Sequence, residues 1–172
     1  VITPRVFHDA RGFFLESYNA EAWRSAGIET TFVQDNHSKS THGTLRGLHF
    51  QLPPAAQVKV LRVVRGAVWD VAVDIRVGSP TFGQWVGVEL TADNFRQVYV
   101  PTGFAHGFCV LSDEAEILYK TSAVYSPAHE RGIAWNDPQL AVDWPVAEPL
   151  LSDRDRRASS LADYLAATPF TY

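Results

Sequence analysis

The chain carries a single cysteine, Cys109, and no methionine. One thiol excludes an intramolecular disulfide and a thiolate metal cluster within one subunit. Its neighbours Phe108, Val110 and Leu111 mark it as a buried, inert thiol rather than a nucleophile. Long apolar runs are also missing: stretches such as Val71-Ala72-Val73 meet a charge well short of the roughly 20 residues that a bilayer span needs. The opening Val1-Ile2-Thr3-Pro4-Arg5 lacks the basic-then-apolar order of a secretory leader, and its missing Met reads as a trimmed N-terminus. Internal repeats and low-complexity linkers are absent. A net charge of −4 gives no basic surface for nucleic acid, so any phosphate binding must come from locally placed arginines. What is present is an ordinary globular composition, 46 % apolar and 20 % charged over 172 residues. That length suits one domain, 1–172, with a substantial core, and a cytoplasmic protein of enzyme size is the default expectation.

Runs rich in Val, Ile, Phe, Tyr and Trp, punctuated by Gly, Pro, Asn and Asp, predict strands near 13–18, 31–37, 44–51, 58–64, 67–75, 84–90, 97–100, 106–111 and 116–122. Only 21–26, stopped by Gly27, and 159–167, stopped before Thr168-Pro169, read as helices. Many short antiparallel strands imply a sandwich or barrel. Three stretches then point to a site. In Leu45-Arg46-Gly47-Leu48-His49-Phe50-Gln51, strict alternation puts Leu45, Gly47, His49 and Gln51 on one face, an arrangement that suits a pocket wall better than a dry core. In 67–76, Trp69, Val71, Val73 and Ile75 oppose Asp70, Ala72 and Asp74, which reads either as a solvated outer face or as a polar barrel lumen. In Pro101-Thr102-Gly103-Phe104-Ala105-His106-Gly107-Phe108, proline and glycine force a turn that delivers His106 onto the start of the next strand.

That last turn resembles the second motif of the cupin superfamily. Many cupins hold a metal with two histidines two apart, a following glutamate and the histidine of this motif. Here Gln51 stands two after His49, and no glutamate follows before Glu89, so a facial ligand set is not available locally. The expectation is no metal and no cofactor, with the chemistry done by protons.

Over nearly its whole length the chain then resembles the dTDP-4-dehydrorhamnose 3,5-epimerase family. The segments that carry the likeness are Asp9–Phe14, Phe32–Ser38, Leu45–Gln51, Val71–Arg76, Ser79–Gly83, Gly103–Phe108, Trp135–Pro138 and Leu151–Asp155. The resemblance implies a mainly β, metal-free cupin barrel of the double-stranded β-helix (jelly-roll) type with a few short peripheral helices. It also implies a homodimer acting on a dTDP-linked 4-keto-6-deoxy sugar, with no nucleic acid and no membrane partner. Such an epimerase removes a proton next to a ketone and returns one to the opposite face, which needs a base, a facing acid and a donor for the enolate.

By resemblance the base is His49, oriented by Asp155, the acid is Tyr119, and Lys59 stabilises the enolate. Substrate contacts are Arg11, Glu16, Gln34, Asp35, Asn36, Arg46, His106, Glu130 and Arg154, with Tyr125 stacking on the base. Plainer readings stand beside these. Without the resemblance Tyr119 reads as a packed strand tyrosine, and Lys59 reads as well as a solvated edge lysine. Arg11 and Glu16 read as a cross-strand pair and Asn36 as a turn cap. Two positions depart from the family pattern: Arg154 stands where lysine is common, and Val124 where some members have a second tyrosine. Three alternatives stay open, namely an epimerase inverting only C3 or only C5, a metal-dependent cupin using His49 and His106, and a non-catalytic sugar binder. The N-terminal strand of about 1–18 is expected to exchange with a dimer partner or to fold back on its own barrel, and 150–172 to pack over the barrel mouth.

Overall fold

The computed structural model describes residues 1–167 and 169–172; Thr168, which borders the expected C-terminal helix, lies outside them. In chain order the elements are β1 (Val6–Asp9), β2 (Gly12–Leu15), α1 (Ala20–Ser25), β3 (Gln34–Thr41), β4 (Leu45–Gln51), β5 (Lys59–Arg65) and β6 (Ala67–Asp74). They continue with β7 (Trp85–Thr91), β8 (Gln97–Val100), β9 (Phe104–Val110), β10 (Glu114–Thr121), β11 (Glu130–Gly132), α2 (Asp153–Arg156) and α3 (Leu161–Ala166). β1 and β2 form a hairpin, β3-β10-β5-β8 a four-stranded sheet, and β11-β4-β9-β6-β7 a five-stranded sheet. All strand pairings are antiparallel. The fold is mainly β and cupin-like, as expected.

Two apolar layers hold it. Between the sheets, Leu61, Val63, Val98, Val100 and Ile117 meet Val68, Ala72, Leu90, Phe108 and Val110. On the far side of the five-stranded sheet, Leu45, Leu48, Phe50, Val71, Val73, Ile75 and Cys109 meet Ile133, Leu140, Trp144, Leu161 and Tyr164. The second layer is why β6 is buried along nearly its whole length: the C-terminal segment covers its outer face. Each fully buried Leu, Ile or Val here contributes about 1.5–3 kcal/mol over leaving it in water. Tyr164 fastens that segment. Its hydroxyl donates to the Ile75 carbonyl at 2.7 Å and accepts from Phe170 N at 2.7 Å.

Several local expectations are corrected. The alternation through 45–51 breaks: Leu45, Leu48 and Phe50 join the outer core, while Arg46, His49 and Gln51 line the cavity between the sheets. The cause is a register shift between Arg46 and His49 where Gly47 crosses β9, with φ at +141° and room for no side chain. The polar-lumen reading of 67–76 holds at Asp70, but Ala72 joins the apolar layer between the sheets, and Asp74 is taken up by Arg76, Ser79 and Thr81. The strand expected over 13–18 stops at Leu15, because Asn19 caps α1 by accepting from Glu21 N and Ala22 N. The expected 31–37 strand starts later, at Gln34, and runs to Thr41. β9 begins at Phe104, so His106 is its third residue and not its first. At the N-terminus, Ile2 pairs with Gln97 on β8 of the same chain.

Candidate active site

A cavity of about 390 Å³ opens between the two sheets, floored by Leu61, Phe108 and Ile117 of the inner apolar layer. The five-stranded sheet presents Arg46, His49 and Gln51 from β4, His106 from β9 and Glu130 from β11. The four-stranded sheet presents Gln34 and Asn36 from β3, Lys59 from β5 and Tyr119 from β10. Register brings them together: Tyr119 pairs with Asn36 and Leu61, and His49 with His106 and Gly132. His49 and Tyr119 therefore sit on opposite walls of one cavity.

His49 is seated by α2. Its Nε2 contacts Asp155 Oδ1, while Asp155 Oδ2 accepts from Ser152 Oγ at 2.8 Å and Asp155 N donates back to Ser152 Oγ at 3.1 Å. Asp155 is buried, which opposes its ionisation. The hydrogen bond and field of His49, the Ser152 hydroxyl and the Arg154 charge nevertheless hold it below the usual carboxylate range. The imidazole pKa is lowered as well, for a different reason: burial first, and the Arg154 and Lys59 charges, outweigh Asp155 and bring it below 6.5. At neutral pH it is an unprotonated base. Burial raises the Tyr119 phenol above its ordinary 10, so it holds a proton to give. Burial also brings Lys59 down from 10.5 to about 8, which leaves it an ammonium at neutral pH with no ion pair among the described residues.

The far end of the cavity is shaped by hydrogen bonds. Gln34 Oε1 accepts from Tyr125 N at 2.9 Å and its Nε2 donates to Asn36 Oδ1 at 2.8 Å. Gln51, buried, donates to the Ala55 carbonyl at 2.7 Å and accepts from Ser126 N at 2.8 Å, which fixes the loop carrying the half-exposed Tyr125 ring. Tyr125 Oη donates to Glu130 Oε2 at 2.7 Å, and Arg154 Nη1 reaches the same oxygen at 2.5 Å. His106 Nε2 lies 2.9 Å from Asp70 Oδ2, both buried. Each cavity histidine thus has its own carboxylate, and Gln51 spends its amide on backbone. Among the described residues no three His, Cys, Asp or Glu side chains cluster as a cation site, and this donor set does not fit a facial metal centre.

A family profile described as dTDP-4-dehydrorhamnose 3,5-epimerase matches residues 1–163. The chain belongs to that family. It is 58 % identical over 164 residues to the dTDP-4-dehydrorhamnose 3,5-epimerase of Shigella flexneri, covering 95 % of this chain and 91 % of the relative. The crystal structure of the Legionella pneumophila dTDP-6-deoxy-D-glucose-3,5-epimerase, in complex with dTDP-4-keto-L-rhamnose, superposes with a TM-score of 0.94 at 49 % identity, covering 99 % of this chain and 91 % of that one. The dTDP-4-dehydrorhamnose 3-epimerase of Streptomyces niveus is 47 % identical over 163 residues, 94 % of this chain and 79 % of the relative. Like its family, the protein is a sugar epimerase, an isomerase.

Of the residues expected from the family resemblance, the cavity gathers Gln34, Asn36, Arg46, His49, Lys59, His106, Tyr119, Tyr125, Glu130 and Arg154, with Asp155 behind His49. Arg11, Glu16 and Asp35 lie elsewhere in this chain. Arg11 sits in the β1-β2 turn, paired with Asp9 at 2.6 Å; Glu16 accepts from Asn19 Nδ2 at 3.3 Å; Asp35 pairs with Lys120 at 2.9 Å outside that cavity. Sequence reasoning missed the Asp70 partner of His106 and the loop-holding role of Gln51. The signal available for Asp70 was the carboxylate face of 67–76.

Among the described residues no helix is long and apolar enough to cross a membrane.

Proposed function

We propose that the protein converts dTDP-4-dehydro-6-deoxy-D-glucose to dTDP-4-dehydro-L-rhamnose, with His49 as the base at both C3 and C5 and Tyr119 as the acid on the opposite ring face. The observation that carries this reading is the opposition of an Asp155-oriented imidazole on one sheet and a protonated phenol on the other, across a single cavity. Asp155 stabilises the imidazolium as it forms. Lys59, a cation in a water-poor pocket, answers the charge that develops on the C4 oxygen of the enolate. Arg46 and Arg154 supply donors for the diphosphate, and the half-exposed Tyr125 ring offers a stacking face to the thymine.

The test is exchange in D₂O with dTDP-4-dehydro-6-deoxy-D-glucose, followed at C3 and C5 by NMR. Deuterium at both carbons with changed ring configuration is expected. Label at C3 alone would favour the second reading, a single-position epimerase, which the Streptomyces niveus relative keeps in view. Absence of label at either carbon would remove His49 from the role of base.

We further infer a homodimer. Arg11 and Glu16 lie away from their own cavity, and the hairpin that carries Arg11 exposes Phe7, Phe13 and Phe14 to solvent. An apolar hairpin with a cation at its tip fits a second copy of this chain, where Arg11 and Glu16 reach the neighbouring cavity as substrate contacts.

A further inference from the structure

Asp155 holds the Nε2 side of His49, so Nδ1 carries the lone pair that must take the substrate proton. That lone pair is covered. Arg154 Nη2 stands 3.3 Å from Nδ1 and 3.0 Å from Nε2, which places the guanidinium against the ring between its two nitrogens, beside that lone pair. Its other nitrogen, Nη1, is anchored 2.5 Å from Glu130 Oε2, the oxygen that also accepts the Tyr125 phenol. Adjacent residues on α2 are held very differently. Asp155 is buried and capped by Ser152, whereas the Arg154 side chain is 53 % exposed and can swing without unpacking anything.

We propose that Arg154 is a displaceable cover on the base: Glu130 parks its guanidinium on His49 in the unliganded protein, and the diphosphate of the substrate draws it away. This rests on the reading of His49 as base given above. A diphosphate out-competes one carboxylate because it carries more charge and offers several acceptors in the fork geometry that guanidinium matches. The arginine suits this role: two nitrogens of one planar group reach Glu130 and Nδ1 of the imidazole at once. Arg154 is thus a positioning residue for the reaction in the free protein and a substrate contact in the complex.

The readout is the titration of the His49 imidazole by NMR, in the wild type and in Arg154→Gln, free and with saturating thymidine or dTDP. The other charged and titratable groups facing the site are Asp155 from α2, Arg46 from β4, Lys59 from β5, His106 from β9, Tyr119 from β10 and Glu130 from β11, and they are common to both proteins. In the free wild type the midpoint lies low. Arg154→Gln should raise it by about one pH unit, the usual effect of removing a like charge within contact distance. Thymidine should leave the wild-type midpoint in place, whereas dTDP should raise it, and dTDP should raise that of Arg154→Gln by less than half as much. Arg154→Lys should restore a low free midpoint. Equal free midpoints in wild type and Arg154→Gln, or equal dTDP shifts in both, would overturn the cover while leaving the epimerase reading intact. Failure of dTDP to bind the wild type by calorimetry would instead overturn the nucleotide-sugar reading and the displacing ligand with it.

Discussion

Lys59 is the residue whose chemistry is most exposed to pH. Burial brings its pKa down to about 8, so it is an ammonium below that value and a neutral amine above it. If the ammonium answers the enolate charge, kcat/KM falls as pH rises through about 8, tending to tenfold per pH unit. The fall on the acid side lies below the ordinary 6.5 of histidine, because burial and the neighbouring cations lower His49. Tyr119 does not produce the alkaline limb, since burial holds its proton beyond its ordinary 10. Lys59→Arg should lower the rate yet remove that limb from the accessible range, guanidinium being charged throughout. A limb still near pH 8 in that variant would assign it to another group. Lys59, His49, Tyr119 and Asp155 were legible in the sequence through a resemblance spread over many ordered segments. The Asp70 partner of His106 was not, because the two meet diagonally across β6 and β9, where Ala72 faces His106 and Asp70 faces Phe108. The carboxylate face of 67–76 marked Asp70 as a polar inward residue, but the register that gives it His106 is a tertiary fact.

At the scale of elements, the crossing of β4 and β9 decides where the cavity residues point. A Cβ on Gly47 would lie 2.5 Å from Gly107 Cα and 3.0 Å from the His106 carbonyl, in a backbone conformation that L side chains rarely adopt. Gly47→Ala should cost about 2–5 kcal/mol from crowding and strain together. It should also lower kcat, because His49 and His106 hang from the two strands that must separate. Urea unfolding with activity assays below the transition checks both; a variant as stable as wild type would show that the crossing can relax. This is also where strict alternation failed. A two-residue period assumes an unbroken ladder, and the register shift at Gly47 moves Arg46 to the cavity side and Leu45 to the outer core. Most other strands were legible from composition and turn residues to within a few positions. The four-residue helix α2 was not, being too short to show a period, although its cap Ser152 sits where a helix start belongs. The proposed chemistry depends on it, since it carries both Arg154 and Asp155.

For the whole molecule the open question is whether one chain contains a whole site. Its own cavity gathers His49, Tyr119, the Tyr125 ring and three ammonium or guanidinium donors, Lys59, Arg46 and Arg154, yet Arg11 and Glu16 are outside it. In a dimer whose hairpins cross over, each site takes His49 from one subunit and Arg11 from the other. Hybrid dimers separate the two arrangements. Arg11→Ala and His49→Ala are each expected to be crippled as pure dimers, the first through weakened substrate binding and the second through loss of the base. When the two variants are unfolded together and refolded, a crossed hybrid has one site with both defects and one with neither, so activity returns, approaching a quarter of wild type when half the dimers are hybrid and only one of their two sites is intact. Were each chain to build its site alone, every cavity would keep one defect and mixing would restore nothing. The sequence marked the N-terminal strand of about 1–18 as a candidate for exchange, but whether a strand pairs with its own barrel or another's is a competition between equal surfaces. Ile2 hydrogen-bonded to Gln97 shows that the first residues have a partner at home, which leaves the turn carrying Arg11 as the part available to a neighbour.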